Sequence, residues 1–158
     1  MFAPADYVLR PLTGGDEGVL WEMLYQALSP PDGEAPSREI MQRPEYARYV
    51  EGWGRPADKG YVVHDKEERA ILGAVWLRSP VECRPGEEPP ELAFVVRAGH
   101  RHRGIGASLL TQLVRTNPKL SAVLLRVGVN SPAVRLFERF GFEIASQSAQ
   151  SVVMRRAI

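Results

Sequence analysis

A basic loop followed by two closely spaced glycines is the part of the sequence best suited to chemistry. Residues 97–103 include three arginines and two histidines, and Gly104 and Gly106 follow directly. Apolar residues then recur at three- and four-residue spacings, which predicts a helix that begins at these glycines. The first turn of a helix has N–H groups without partners, and glycine has no Cβ to keep a ligand away. The pattern therefore predicts a binding site for a phosphate or a similar anion.

Two widespread phosphate-binding loops fit this stretch poorly. A Walker A loop needs Lys-Ser or Lys-Thr after its last glycine, and neither pair follows Gly106. A dinucleotide fingerprint needs Gly or Ala where Leu109 stands, and an acidic residue about 20 residues further on, where the chain has Arg126. An arginine suits a 2′-phosphate, so a small nucleotide-dependent oxidoreductase stays open. A plain strand–helix connection with solvated charges is the other alternative.

Runs of apolar residues predict the elements that position this loop. Residues 92–96 and 122–127 are short, β-branched apolar runs, which are typical of buried strands. Ser131 and Pro132 predict a helix start, because serine caps a helix and proline fits its first position. Further strands are predicted at residues 7–12, 61–64, 70–78, 142–146 and 151–155, and further helical stretches at residues 16–28 and 37–50.

Length, charge and cysteine content limit the class of protein. A chain of 158 residues suits one domain, so we expect a single domain over residues 1–158. The net charge of +1 gives no general attraction to nucleic acid or to an acidic membrane, and we expect neither as a partner. The single cysteine, Cys83, fits a reducing compartment, and no apolar run approaches about 20 residues. We therefore expect a cytoplasmic protein.

Two blocks of the sequence together resemble the GNAT family of N-acetyltransferases. Residues 101–106 read RHRGIG and resemble the family's motif A, Arg/Gln-x-x-Gly-x-Gly/Ala. Residues 130–142 read NSPAVRLFERFGF and are similar to the family signature Asn-x-x-Ala-x-x-Leu-Tyr-x-x-x-Gly-Phe. The resemblance implies an α/β (α+β) fold whose mixed, mostly antiparallel sheet of about seven strands is flanked by helices. It also implies that the sheet splays between strands four and five, just after Val96.

The resemblance implies which ligand the basic loop binds. Family members bind acetyl-CoA as a co-substrate, with its pantetheine arm in the splayed sheet and its pyrophosphate on backbone N–H groups, and we expect no metal. Strand four would contribute main-chain groups of Phe94, Val95 and Val96. The other cofactor-binding residues implied are Arg101, His102, Arg103, Gly104, Ile105, Gly106, Ala107, Asn130, Ala133 and Phe137.

The reaction implied is transfer of the acetyl group to an amine of a small molecule or a peptide N-terminus. Glu91, at the start of strand four, is the candidate general base, acting through water, and Glu88 is a second candidate. A solvated acid at a strand end is the alternative interpretation of Glu91. Phe137 replaces the family tyrosine that protonates the leaving thiolate, and phenylalanine has no proton to give. A non-catalytic acyl-CoA-binding or sensing module is therefore the alternative function.

Residues 30–56 are rich in proline, arginine, glutamate and aromatic residues, and they lie where the family recognises its acceptor. The candidate acceptor-binding residues are Tyr46, Tyr49 and Trp53, together with Trp76 from a predicted strand. Packing of a helix onto the sheet is the alternative, and it is the commoner use of aromatic stripes. Because dimers are common in the family, a homodimer is one expected oligomeric state.

Overall fold

The computed structural model describes residues 7–29, 33–66, 70–79, 89–97, 104–127 and 129–157. The strands are β1 (Tyr7–Pro11), β2 (Lys59–Asp65), β3 (Ile71–Arg78), β4 (Glu91–Val96), β5 (Ala122–Leu125), β6 (Glu143–Gln147) and β7 (Val152–Arg155). The α-helices are α1 (Glu17–Leu28), α2 (Pro44–Ala47), α3 (Ile105–Thr116) and α4 (Pro132–Arg139). Short 3₁₀ turns precede α1 and α2, at Gly14–Asp16 and Arg38–Gln42.

The seven strands form one mixed sheet in the order β1-β2-β3-β4-β5-β7-β6. Among the strand pairs of the described residues, only β4–β5 is parallel, and the other five are antiparallel. A parallel pair needs a crossover connection, and here α3 makes it. The predicted mostly antiparallel sheet of seven strands, flanked by helices, is therefore confirmed.

The β4–β5 pair opens into a gap. Only two positions are in register, Glu91 with Leu124 and Leu92 with Leu125. The β3 side of β4 stays paired along its whole length, from Glu91 to Val96. The sheet thus splays after Leu92, four residues before the predicted point at Val96. The remaining part of β4 forms one wall of the gap.

Each face of the sheet carries its own hydrophobic core. On one face α3 and α4 pack against strand residues such as Val75, Leu92 and Val123. On the other face α1 and the segment around α2 pack against residues such as Val62 and Val95. Side chains alternate between the faces along each strand, so β4 contributes to both cores. Within the described ranges, no helix combines the length and apolarity needed to cross a bilayer.

Asp16 joins the end of β1 to the start of α1. It occupies the predicted N-cap position of α1, but its side chain makes no cap hydrogen bond to that helix. Its carboxylate instead accepts from Arg10 Nη1 and Nη2, at 2.9 and 3.0 Å, and from the Thr13 N–H at 2.7 Å. The Arg10 hydrogen bond, with help from Thr13, lowers the pKa of Asp16 against the opposing effect of burial.

Candidate active site

The first turn of α3 offers backbone donors that have no partner among the described residues. Its N-cap residue is Gly104, whose φ of 80° lies in the left-handed region that glycine adopts without strain. Because glycine has no side chain, the N-cap residue cannot satisfy the N–H groups of Ile105, Gly106 and Ala107. These donors and the positive end of the helix dipole can bind an anion.

Gly106 is required for packing as well as for ligand approach. A Cβ placed on Gly106 would lie 2.5 Å from Cζ of Phe94, which is far inside normal contact distance. The ring of Phe94 therefore fills the space beside this glycine. It joins the wall of the gap to the first turn of α3, so that strand and helix hold a fixed relative position.

Main-chain groups of β4 alternate between β3 and the gap. The Arg97 N–H donates to the Leu72 carbonyl of β3 at 2.7 Å, while the Pro90 carbonyl accepts from Leu124 on the β5 side at 2.9 Å. The alternation of an antiparallel ladder turns the N–H and C=O of Val95 toward β3 and those of Phe94 toward the gap. Phe94 is thus a better candidate than Val95 for main-chain pairing with a ligand.

The helix α4 follows β5 in the chain, and its cap agrees with the sequence prediction. Ser131 Oγ accepts from the Ala133 N–H at 3.2 Å, and Pro132 takes the first helical position. Asn130 is exposed in the preceding turn. Ala133 and Phe137 are buried in the core of this face, and the Phe137 ring meets the Phe142 ring edge-on at 5.0 Å.

Glu91 lies at the closed end of the gap between two arginines. Its Oε1 is 2.8 Å from Nη2 of Arg48, which follows α2, and its Oε2 is 3.1 Å from Nε of Arg126, which follows β5. The same Arg48 nitrogen donates to Oε2 at 3.0 Å. The carboxylate of β4 therefore connects to the residue that follows β5 and to the segment that contains α2.

Tyr49 completes this group of side chains. Burial, followed by a hydrogen bond to Glu91, raises the pKa of Tyr49 to about 12. Its hydroxyl also accepts from Arg48 Nη2 at 3.4 Å, and the Arg48 guanidinium stacks 4.9 Å from the Tyr49 ring centroid. Tyr49 thus keeps its proton at neutral pH beside the carboxylate of Glu91.

Strand β3 fixes the backbone that carries Arg48 and Tyr49. The buried Arg78 donates to the Arg48 carbonyl at 3.2 Å and pairs with Asp58 at 3.1 Å. The Trp76 indole N–H donates to the Tyr49 carbonyl at 2.9 Å. The position of the cluster around Glu91 therefore depends on a buried polar network as well as on apolar packing.

The four aromatic residues predicted to bind the acceptor have different surroundings. Trp53 and Trp76 are buried in the core beneath α1, where both indole N–H groups donate to backbone carbonyls. For these two residues the structure matches the packing alternative. Tyr46 and Tyr49 are half-buried, and Tyr49 alone contacts the Glu91 cluster. Only the tyrosines thus stay candidates for the acceptor side.

Several predicted residues lie outside the described residues. These are Arg101, His102 and Arg103 of the basic loop, the second candidate base Glu88, and Cys83. Among the described residues, no three His, Cys, Asp or Glu side chains gather as metal ligands.

Sequence reasoning missed Arg48 as a partner of Glu91, and it considered Arg126 only as a phosphate ligand. The arginines and Glu91 are far apart in the chain, and no local spacing connects them. The one available signal for Arg126 was its position directly after an apolar strand, where a side chain can reach the edge of a splayed sheet.

Comparisons with known proteins agree with this geometry. Residues 21–142 match the acetyltransferase (GNAT) family. No protein of curated function matches. Among solved structures, a GCN5-related N-acetyltransferase from Kribbella flavida has a TM-score of 0.60 at 20% identity, covering 99% of this chain and 100% of its own. A GNAT phosphinothricin acetyltransferase from Sinorhizobium meliloti, in complex with AcCoA, has a TM-score of 0.59 at 19% identity, covering 96% and 88%.

A third solved structure is the spermidine/spermine N-acetyltransferase SpeG of Vibrio cholerae, with a TM-score of 0.55 at 22% identity and coverage of 95% and 91%. At these identities the structural neighbours show a shared fold. The family match covers most of the chain, so this protein belongs to the GNAT acetyltransferase family. The predicted family is confirmed, and the dinucleotide interpretation of the glycine loop gives way to acetyl transfer.

Proposed function

We propose that this protein transfers an acetyl group from acetyl-CoA to an amine of a small molecule or a peptide N-terminus. The observation that carries the proposal is the gap between β4 and β5, which opens beside a helix start without a side-chain cap. A diphosphate fits the free donors of α3, and an amide-bearing arm fits the wall of β4. The Sinorhizobium meliloti neighbour was solved with AcCoA, which supports the same ligand here.

The residues proposed for the cofactor divide by the part that they would bind. Backbone groups of Gly104, Ile105, Gly106 and Ala107 would bind the pyrophosphate, together with residues 101–103 of the basic loop. Phe94 would pair with the arm through its main chain, next to Val96. The thiol end would lie near Asn130, Ala133 and Phe137.

The chemistry requires an amine nitrogen to attack the thioester carbon, so that a C–N bond forms and the C–S bond breaks. The attacking nitrogen must lose a proton, and Glu91 is the proposed base, acting through water. Two guanidinium groups hold this carboxylate, so a proton resting on it would weaken both ion pairs. The proton must therefore pass on to solvent within the same turnover.

The leaving thiolate receives no proton from Phe137. A thiol has a pKa of about 8.5, so the thiolate is a tolerable leaving group at neutral pH. Ser131, the cap residue of α4, is a further candidate proton donor. Its oxygen accepts from Ala133, which leaves its own hydrogen free to donate.

Phe137 also supports a second candidate function, a module that binds acyl-CoA without turning it over. The ring is buried against Phe142, so the position is adapted to packing and carries no acid group. CoA binding without acetyl transfer to any amine would select this alternative.

The direct test combines binding with turnover. Calorimetry should show CoA binding, and a thiol assay should show release of free CoA with at least one amine in a broad panel. Binding without release for every amine tested would replace the enzyme with the binding module. Absence of CoA binding would overturn both functions.

A further inference from the structure

Among the described residues, the cluster at the closed end of the gap has an excess of positive charge. Arg48 and Arg126 both pair with Glu91, so two cations share one anion. The side chains of Arg48 and Arg126 are 42% and 48% exposed, whereas that of Glu91 is 11% exposed. The carboxylate is thus covered, and the two guanidinium groups face solvent around it.

Both guanidinium groups keep donors that Glu91 does not use. Arg48 bonds Glu91 through Nη2 and the Glu45 carbonyl through Nε, and its Nη1 has no partner among the described residues. Arg126 approaches Glu91 through Nε, and neither of its terminal nitrogens has a partner within the described part of the chain. A guanidinium carries five N–H donors, so most of those on Arg126 remain for a ligand.

The cluster also lies on the face of the sheet opposite the proposed thiol-end residues. Glu91, Ala93 and Val95 are every second residue of β4 and so lie on one face of the sheet, the face that packs against α1. The proposed thiol-end residues Ala133 and Phe137 lie on the opposite face, with α3 and α4. An amine that approaches the gap from the α1 face therefore passes Arg48 and Arg126 before it reaches the reacting carbon.

We propose that the acceptor carries an acidic group, a carboxylate or a phosphonate, on the same molecule as its amine, and that Arg126 and Arg48 bind this group. The inference rests on the proposed acetyl transfer. Hydrogen bonds between guanidinium and an anion are about twice as strong as neutral ones, and they can be bidentate. Glu91 contacts both guanidinium groups, so one further anion bound beside it can accept from both. A polyamine would meet like charge at this position.

The test compares acceptors that share an amine and differ in the acidic group. Each standard amino acid is assayed with acetyl-CoA beside its amide, its decarboxylated amine and its aminophosphonate analogue. For every accepted side chain, the acid should exceed the amide in kcat/KM by at least about tenfold, the effect of one hydrogen bond to a charged group. The carboxylate and phosphonate arms show which anion the arginines accept.

Variants connect this preference to the cluster. Arg126→Gln should lower kcat/KM for the acids at least about tenfold, mainly through KM, and Arg126→Lys should restore part of the loss. Arg115→Gln is the matched control, because Arg115 is an exposed arginine at the far end of α3. It should leave the acid preference unchanged.

Three results would overturn the proposal while acetyl transfer itself stands. These are equal turnover of acids and amides, a preference for polyamines, or an equal effect of Arg126→Gln on acids and amides. If CoA binds and no amine is acetylated, the proposal is tested by calorimetry instead. The affinities of the same acids and amides are then measured in the presence of CoA. Equal affinity of acid and amide then overturns the proposal. Failure of CoA to bind would overturn the proposed function and this inference together.

Discussion

Two ion pairs hold the Glu91 carboxylate in place, and they determine the expected effect of replacing it. Replacing it with Gln removes the proposed proton acceptor and leaves Arg48 and Arg126 without their shared anion. General base catalysis contributes roughly 10²–10⁴-fold, so Glu91→Gln should lower kcat/KM by at least about 100-fold.

Glu39→Gln is the control for this change, because Glu39 is exposed on the turn before α2. If Glu91→Gln lowers activity only through KM and leaves kcat unchanged, Glu91 positions the arginines and some other group accepts the proton.

Phe137 tests how the thiolate leaves. If the thiolate departs without a proton donor, Phe137→Tyr should change kcat by less than about threefold, since a thiol pKa of about 8.5 already allows departure. A buried hydroxyl without a partner costs about 1–3 kcal/mol, so Tm should fall. Phe140→Tyr, at the C-cap of the same helix, is the control, because Phe140 is only half-buried. A gain in kcat of tenfold or more would show that the missing acid limits turnover.

At the scale of elements, β4 and α3 are joined through Phe94 and Gly106. Gly106→Ala would place a methyl group 2.5 Å from the Phe94 ring, so we expect a loss of about 1–3 kcal/mol in stability and weaker CoA binding. Gly18→Ala is the matched control, because its Cβ would meet nothing within 4 Å in the first turns of α1. That change should stabilise the protein by roughly 0.5–1 kcal/mol.

A double-mutant cycle identifies the contact responsible. Adding Phe94→Leu to Gly106→Ala should recover part of the lost stability, because the smaller side chain makes room for the methyl group. Strictly additive effects of the two changes would show that Phe94 is not the obstacle.

The elements themselves could be predicted from sequence, because their signals are local. Ser131 and Pro132 capped α4 as expected, and the glycines marked the start of α3. The contacts that form the acceptor side could not be predicted in this way. Arg78 ends an apolar strand, a position where the sequence predicts an arginine exposed to solvent. In the structure it is buried and bonded to Asp58. Such pairings depend on how residues 44–58 cross β3 and β4, which no local pattern encodes.

The same limit applies to the aromatic residues and to the gap. An indole that lines a pocket and one that packs a core have the same sequence signature, and Trp53 and Trp76 belong to the core. The point at which β4 and β5 separate lies after Leu92, and nothing in the two apolar runs marks it. Apolar runs give the strands but not their register.

At the scale of the whole molecule, Asp16 contributes a pH-dependent part of the stability. Its pKa in the folded protein lies below the unfolded value of about 3.9, so folding favours the ionised carboxylate. This stabilisation is present above about pH 4 and is lost as the pH falls through the folded pKa. Asp16→Asn should therefore lower stability by about 1–3 kcal/mol at pH 7 and flatten the loss of stability in acid.

Thermal unfolding between neutral and acidic pH measures this effect. Glu34→Gln is the control, because Glu34 is exposed and its replacement should leave the acid limb as it is. A parallel downward shift of the Asp16→Asn curve at every pH would contradict a role for the ionised carboxylate.

The proposed CoA site is tested most directly by amide hydrogen exchange, measured residue by residue with and without CoA. We expect CoA to slow exchange at the N–H groups of Phe94, Gly106 and Ala107. Val95 should change little, because its main chain already faces β3. Slowed exchange at Val95 without Phe94, or protection confined to β1 and β2 with none at α3, would contradict binding in the gap.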